Sequence, residues 1–173
     1  GSPFYIMDSD KYRFNLNSFL NAFRKRYEKV IAGYSLKTNY VPALCKIALD
    51  EGCFAEVVSE MEYELARKIG FTNVIFNGPI KRPHILKEAL EHGAIINLDS
   101  EYEVDFVCRY KQQNPLQNVR VGMRININLT DENGNSTIQC GLRFGRFGFP
   151  DNIVEKKNVE KEHFQGFSVF HLS

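Results

Sequence analysis

The side chain in this sequence with the clearest potential for chemistry is a lysine at the end of a predicted strand. Lys37 shares one face of an alternating segment with Gly33 and Ser35, both small, so its long amine has room beside it. Charged residues at strand ends form the active sites of parallel α/β barrels, which makes this amine a candidate catalytic group. A solvated lysine fits the same spacing, because lysine is mostly an exposed residue. Spacing alone leaves both interpretations of Lys37 open.

Arg124 is the second candidate, and its chemistry would be the recognition of an anion. It lies on the strand face that carries Gly122 and Asn126, whereas the opposite face is apolar. A buried unpaired charge is costly, so the polar face of this strand requires a solvated lumen or a ligand. We therefore interpret Arg124 as facing an anionic group in the mouth of a barrel.

Glu56 and His171 are polar residues within apolar runs. A strand buried on both faces is typical of a parallel sheet, so an unpaired Glu56 is not expected inside residues 54–59. His171 is either a hydrogen-bonded core imidazole or a ring stacked on a flat ligand, and its sequence context alone favours the core imidazole. The histidines show no metal-ligand spacing with one another or with the cysteines, so we predict no metal site.

The elements that would position these residues alternate between helix and strand. Apolar residues recur at helical spacing through residues 16–27 and then with period two through residues 30–37. This change of period predicts a helix followed by a strand that ends near Lys37. The other predicted strands cover residues 54–59, 73–77, 94–98, 119–127 and 167–172, and further helices are predicted to open at Pro42, Ser59, Pro83 and Ser100.

Two of these helices open on the same local signature. Ser59 stands three residues before Glu62, and Ser100 stands three residues before Glu103. In such a capping box the serine hydroxyl accepts a hydrogen bond from the first helical turn and the glutamate folds back onto the backbone. We expect both serines to cap their helices.

The predicted elements indicate a parallel α/β fold. Six strand candidates, most of them followed by a helix, repeat the strand–helix unit of a parallel sheet. No Gly-x-Gly-x-x-Gly follows the first strand and no Walker-type Gly-Lys-Ser/Thr occurs, which favours a barrel over an open sheet. A (β/α)8 barrel needs about 250 residues, so this chain would supply about six of the eight units of a TIM-type barrel. We expect the chain to be a truncated part of that fold.

Composition excludes several classes of protein. Hydrophobic residues make up 43% and charged residues 25% of the 173 residues, as in an ordinary globular domain. The net charge of +1 provides no field to hold nucleic acid or an anionic membrane. The sequence contains neither a span-length apolar run nor a signal peptide, which predicts a cytoplasmic protein. The cysteines are scattered and are interpreted as reduced core thiols: Cys45, Cys53, Cys108 and Cys140.

Seven segments, in order along the chain, resemble motifs of one enzyme family. Residues 34–39, Tyr-Ser-Leu-Lys-Thr-Asn, are similar to the Tyr-Ala-x-Lys-Ala-Asn motif of fold-type III pyridoxal-phosphate enzymes. This group contains alanine racemase and the ornithine, arginine and diaminopimelate decarboxylases. Residues 123–126 resemble the family's Leu-Arg-Ile/Val-Asn strand, and residues 170–173 resemble its Phe-His-Ile-Gly-Ser turn. The other matching segments are residues 55–62, 77–81, 96–101 and 145–148, with Glu56 in place of the usual Asp and Glu60-Met61 in place of Gly-Gly.

The resemblance implies that residues 4–173 are the N-terminal part of a barrel that binds pyridoxal 5′-phosphate, with the C-terminal β-domain absent. Residues 1–3 are interpreted from their own sequence as a cloning scar. Lys37 would form the Schiff base, and Glu56, Arg124 and His171 would bind the cofactor. The implied reaction is decarboxylation of a basic or diamino acid, as in diaminopimelate decarboxylase. A homodimer is implied for the full-length protein. We expect the isolated chain to be inactive, because the family's phosphate loop and its glutamate at the pyridine nitrogen would lie downstream.

Two alternatives remain for the function. An amino-acid racemase of the same fold is disfavoured, because residues 145–148, Gly-Arg-Phe-Gly, resemble the Ser-Lys-Phe-Gly segment of the decarboxylases. A non-catalytic relative that binds pyridoxal phosphate would not need the downstream residues. The substrate's identity cannot be predicted, because the residues that grip its distal end would also lie downstream.

Overall fold

The computed structural model of the chain describes residues 2–126, 134, 147–150 and 167–172, the last six by their backbone. The chain divides into two compact units, Gly1–Ile75 and Phe76–Ser173. From α1 to β5, helices and strands alternate as the sequence predicts. The helices are α1 (Ser9–Arg24), α2 (Pro42–Asp50), α3 (Glu60–Ile69), α4 (Pro83–Glu91) and α5 (Glu101–Gln113), and the strands are β1 (Gly33–Ser35), β2 (Phe54–Val57), β3 (Val74–Phe76), β4 (Ile95–Leu98), β5 (Val119–Asn126), β6 (Phe149–Pro150) and β7 (Phe167–Leu172).

The first unit is organised around two parallel strands. β1 pairs with β2 in a register that sets Gly33 opposite Phe54 and Ser35 opposite Glu56. Helix α2 begins with a proline at its first turn, where the missing N–H costs nothing, and α3 ends at Gly70 with φ +112°. Only glycine adopts that left-handed conformation without strain. The core of this unit consists of buried side chains from both helices and from β2: Leu44, Cys45, Ala48, Ala55, Val57, Tyr63 and Ala66.

Helix α1 begins earlier and ends earlier than the apolar pattern of residues 16–27 predicts. The side chain of Asp8 caps it by accepting a hydrogen bond from the Lys11 N–H at 2.9 Å. This cap sets the start of the helix seven residues before the first predicted position. The apolar stripe remains largely uncovered, because Leu20 is the one fully buried side chain on α1. The apolar spacing of residues 16–27 therefore predicted the presence of α1 correctly, but not the residues at which the helix begins and ends.

The second unit is built around β5. This strand pairs in parallel with β4, with β6 and with β7. Helix α4 again opens with a proline and buries four side chains: Ile85, Leu86, Ala89 and Leu90. Strand β6 was not predicted, because a two-residue strand carries no readable period. The parallel pairings of both units confirm the parallel α/β arrangement that the sequence predicts.

The two predicted capping boxes have different outcomes. The Ser59 hydroxyl accepts a hydrogen bond from the Glu62 N–H at 3.3 Å, and the Glu62 carboxylate accepts one from the Val58 N–H at 2.8 Å. Ser100 makes no such bond to its helix, so that half of the prediction was wrong. The glutamate half of the box is present in both helices, because the Glu103 carboxylate also folds back and accepts from the Asp99 N–H at 2.9 Å. It lies in addition 3.0 Å from a buried lysine. Glu103 thus combines a local cap with a tertiary charge pair.

Because Ser59 caps its helix and Ser100 does not, replacing each serine with alanine should change the free energy of unfolding by different amounts. Ser59→Ala should lower the free energy of unfolding by about 1 kcal/mol, because it removes an N-cap acceptor. Ser100→Ala should change it by a few tenths of a kcal/mol, on the order of an ordinary surface substitution. Urea unfolding followed by circular dichroism measures both values. Equal costs would contradict the assignment of the caps.

The cysteines agree with the prediction of reduced thiols as far as the description extends. Cys45 and Cys53 are buried and Cys108 is half-buried, and none of the three is in a disulfide. Burial raises the pKa of each of these thiols, which keeps them protonated and unreactive. Cys140 lies outside the described residues. None of the helices described for this chain has the length and apolarity that a membrane crossing requires.

Candidate functional site

Lys37 lies in the turn that directly follows β1. The predicted strand of residues 30–37 is too long, because Ser35 is its last residue and the Ser35 carbonyl accepts hydrogen bonds from the N–H groups of Thr38 and Asn39. The preceding Leu36 is completely buried, and its N–H donates to the Glu56 carbonyl at 3.0 Å. The backbone at Lys37 is thus held in place while its side chain is exposed. Among the described residues, none pairs with the Lys37 ammonium.

Glu56 lies on β2 beside the end of β1. The expectation that both faces of this strand are buried was wrong, because burial alternates along β2. Ala55 and Val57 are fully buried, whereas Glu56 is half-buried on the other face. A Cβ atom placed on Gly33 would lie 3.4 Å from the Cβ of Glu56, so the two residues share a face at close approach. The structure therefore places Glu56 near the strand that leads to Lys37.

Arg124 lies near the carboxyl end of β5 in the second unit. Its side chain is 45% exposed. The guanidinium carbon lies 4.6 Å from the centre of the Phe147 ring, within the range of a cation–π contact. Its Nη1 atom lies 3.7 Å from Oδ2 of Asp99. The anionic group that Arg124 faces within the described residues is a carboxylate, and nearly half of the arginine side chain is open to a second anion.

Asp99 was not predicted as a site residue. It follows β4 directly, and its side chain is only 3% exposed. Its Oδ1 atom accepts a hydrogen bond from the Gly148 N–H, and its Oδ2 atom has no hydrogen-bond partner within the described part of the chain. A buried carboxylate oxygen that accepts no hydrogen bond lowers the stability of the fold unless a cation lies near it. Its position at the carboxyl end of a parallel strand was the signal that pointed to it in the sequence.

Lys81 and Glu103 form a buried ion pair in the same unit. The Lys81 ammonium donates to the carbonyls of Gly78 and Asn97, both at 2.7 Å, and to Glu103 at 3.0 Å. All three of its N–H donors are therefore used, and both side chains are at most 1% exposed. Since Glu103 also accepts from the Asp99 N–H, this pair fixes the backbone on which Asp99 is carried. The sequence had assigned Glu103 to a helix cap and gave Lys81 no partner.

Burial dominates the protonation of this pair. It lowers the pKa of Lys81 and raises the pKa of Glu103, because each charge has lost its water. The attraction between the two charges opposes both shifts. The pair is thus a structural anchor whose members depend on each other to stay charged.

The remaining site predictions are less fully tested. The backbone of His171 lies on β7 opposite Met123 of β5, one residue from Arg124, and its side chain is outside the description. The contact of His171 with a ligand stays a prediction, as do the roles of Lys37, Glu56 and Arg124 toward the cofactor. Within the described ranges, no cluster of three or more histidine, cysteine or acidic side chains could hold a metal ion.

A family model described as "Pyridoxal-dependent decarboxylase, pyridoxal binding domain" matches residues 14–169. This chain belongs to that family. The match covers the motif around Lys37, the strands that carry Glu56 and Arg124, and the segment of residues 145–148 that resembles the decarboxylases. Membership confirms the family that the sequence motifs indicate, and it identifies pyridoxal phosphate as the cofactor of this type of domain.

Curated relatives of this domain are decarboxylases. A probable chloroplastic diaminopimelate decarboxylase of Oryza sativa subsp. japonica is 29% identical over 166 residues, covering 91% of this chain and 33% of the relative. The diaminopimelate decarboxylase of Methanocaldococcus jannaschii is 26% identical, covering 86% and 35%. An L-glutamyl-[BtrI acyl-carrier protein] decarboxylase of Niallia circulans is 29% identical, covering 89% and 35%. The chain spans about a third of the length of these relatives.

Solved structures share the fold. A diaminopimelate decarboxylase structure from M. jannaschii matches 99% of this chain and 41% of its own, with a TM-score of 0.80 and 23% identity. The diaminopimelate decarboxylase of Helicobacter pylori, complexed with L-lysine, matches 99% and 44%, with a TM-score of 0.76 and 23% identity. These likenesses confirm the predicted fold class, a part of a (β/α)8 barrel.

The described residues fit pyridoxal 5′-phosphate chemically. The cofactor carries an aldehyde, which requires an accessible amine, and Lys37 presents one at the end of β1. It also carries anionic groups, which require a cation with an open side, and the guanidinium of Arg124 is nearly half exposed. The donor types that the cofactor needs are therefore present in each unit by itself, the amine after β1 in the first unit and the guanidinium near the carboxyl end of β5 in the second.

Proposed function

We propose that this chain is the cofactor-binding portion of an enzyme that decarboxylates a basic or diamino acid, with diaminopimelate as the favoured substrate. The observation that supports it most directly is the exposed amine of Lys37, unpaired among the described residues, inside the matched family motif and on a backbone held by the buried Leu36. The names of the relatives supply the reaction class and the favoured substrate. The match to a decarboxylase model disfavours the racemase alternative.

Each predicted site residue has a proposed role. Lys37 would attach the cofactor through its amine, and Glu56 would support the lysine region and contribute to cofactor binding. Arg124 would bind and orient an anionic substituent, and His171 would stack on the ring. When bound, pyridoxal phosphate supplies the electron withdrawal that lets carbon dioxide leave an amino acid. The chain's own contribution is to bind and orient, which is what protein groups do in enzymes of this kind.

A second candidate substrate follows from one relative. The decarboxylase of Niallia circulans acts, by its name, on an L-glutamyl group carried by an acyl-carrier protein, and it is as similar to this chain as the rice relative. An aminoacyl group on a carrier protein is therefore the alternative to free diaminopimelate. We further propose a homodimer for the full-length protein, a cytoplasmic location and no turnover by the isolated chain.

Reductive trapping tests the proposed function. Incubation with pyridoxal 5′-phosphate followed by borohydride should fix the pyridoxyl group on Lys37, which peptide mass spectrometry locates. Lys37→Arg keeps the positive charge and should abolish this label. Lys46→Arg is the matched control, because Lys46 is exposed but is paired with Asp50 at 2.7 Å, and its variant should label as the wild type does. Label spread evenly over exposed lysines, or centred on Lys46, would show that Lys37 is not the attachment point.

A further inference from the structure

Three residues form a contact cluster at Arg124, and none of them was predicted as a site residue. The Asp99 carboxylate lies 3.7 Å from the guanidinium, and the Phe147 ring lies 4.6 Å from it. The N–H of Gly148 donates to the other oxygen of Asp99, which joins the two contacts into one cluster. We call Asp99, Phe147 and Gly148 the arginine clamp.

We infer that the arginine clamp positions Arg124 for the anionic cofactor and that Asp99 is its principal positioning residue. This inference rests on the proposed function for the identity of the ligand. The position of the guanidinium is set within the chain by the clamp, before any ligand binds. A cation that is already oriented loses less conformational freedom on binding, so the affinity for the anion is higher.

Asp99 can orient Arg124 because Asp99 is itself fixed. Its backbone N–H donates to Glu103, whose carboxylate is held in turn by the buried ammonium of Lys81. Its Oδ1 atom is occupied by the Gly148 N–H. Of the two carboxylate oxygens of Asp99, Oδ2 is the one with no hydrogen-bond partner among the described residues, and it is the oxygen nearest the guanidinium. A buried carboxylate oxygen in that position favours a nearby cation.

Phe147 contacts Arg124 because of the glycine that follows it. Gly148 has φ +74°, and a Cβ atom there would lie 2.5 Å from the carbonyl oxygen of Arg124. The loop can therefore approach β5 closely only with glycine at this position. This approach brings the Phe147 ring onto the guanidinium and the Gly148 N–H onto Asp99. It also gives a physical reason for the Phe-Gly pair in residues 145–148.

The sign of one mutational effect separates positioning from simple electrostatics. Asp99 carries a negative charge near a cation that is proposed to bind an anion. If its charge acted on the ligand directly, removing it would strengthen anion binding. If Asp99 positions Arg124, removing the charge weakens binding, because the guanidinium loses its fixed place.

The test uses the 173-residue chain and pyridoxal 5′-phosphate as the probe. Asp99→Asn keeps an amide oxygen to accept the Gly148 N–H but removes the charge, and it should weaken binding of the probe about fivefold, as expected for a partly exposed ion pair. In the Arg124→Gln background the same substitution should give no further weakening, because its effect passes through Arg124. The second readout needs no cofactor: the Nη–H signals of Arg124, whose Nη1 atom lies 3.7 Å from Asp99, should shift in nuclear magnetic resonance spectra of Asp99→Asn, and rotation of the guanidinium should become faster than in the wild type.

The outcomes are distinct. Unchanged or tighter binding by Asp99→Asn, or an Arg124 signal that does not respond to it, would overturn the clamp while leaving the proposed function in place. If the wild type does not bind pyridoxal phosphate but its Arg124 signal depends on Asp99, the proposed function fails and positioning of Arg124 by Asp99 is upheld. Weaker binding together with the changed Arg124 signals in Asp99→Asn, and no further weakening of binding in the Arg124→Gln background, supports the whole inference.

Discussion

Replacing Lys81 with methionine is expected to lower the free energy of unfolding by about 3–5 kcal/mol, because it leaves one half of a buried ion pair behind. Methionine occupies a similar volume, so the loss is mainly one of charge and hydrogen bonds. The carboxylate of Glu103 would stay buried without a cation, and the carbonyls of Gly78 and Asn97 would lose their donor. Urea unfolding at neutral pH measures the cost.

The pH dependence of this variant identifies Glu103 as the source of the cost. Burial already raises the pKa of Glu103 above its ordinary 4.5, and the lysine opposes that shift. Without Lys81 the folded-state pKa of Glu103 should rise further, so the folded protein binds a proton more tightly than the unfolded chain. The deficit should therefore shrink as the pH falls through this raised pKa and grow as the pH rises. A deficit that is the same at about pH 5 and about pH 8 would contradict this account.

A double variant provides the control. Lys81→Met combined with Glu103→Gln removes both charges and keeps an amide oxygen to accept the Asp99 N–H. It should be more stable than Lys81→Met alone, because no uncompensated charge remains in the interior. The difference in stability between the double variant and the wild type should also not shrink as the pH falls. A double variant that is less stable than the single one would show that the lost hydrogen bonds, and not the buried charge, set the cost.

The pair also shows where prediction from this sequence stops. Local signals placed most elements well: a proline at the first turn of α2 and of α4, and Gly70 at the end of α3. Each of these residues determines a helix boundary only a few positions away, so the boundary can be predicted from the local sequence. Lys81 and Glu103 are 22 residues apart, and each sits in a segment with a sufficient local explanation, a turn and a capping box. Nothing in either pattern indicates that they meet.

In the candidate site, too, some residues could be predicted from local patterns, whereas contacts between distant residues could not. Lys37 and Arg124 could be singled out because each interrupts or ends a strand pattern and lies in a segment that resembles a family motif. The Asp99–Gly148 contact joins residues 49 apart in the sequence, and it depends on how closely a loop approaches β5. That distance is set by the packing of two backbones, which no periodicity encodes. The burial of Glu56 was overestimated for a related reason, since a strand's period does not say what covers its second face.

Gly148→Ala is expected to lower the free energy of unfolding by about 2–4 kcal/mol, through two separate effects. The first is conformational, because φ +74° is a left-handed conformation that alanine adopts only with strain. The second is steric, because the new Cβ would lie 2.5 Å from the carbonyl oxygen of Arg124. That oxygen belongs to the backbone of β5, which is paired with other strands and has little freedom to move aside.

Gly93→Ala separates the two effects. Gly93 has a similar φ of +69°, but a Cβ atom there would have no atom within 4 Å among the described residues. This variant should therefore cost only the conformational part, about 1 kcal/mol. The difference between the two variants, measured by urea unfolding of each, gives the cost of the close approach between the loop and β5. If Gly148→Ala costs no more than Gly93→Ala, the loop is not packed against Arg124, and Phe147 cannot hold the guanidinium from that side.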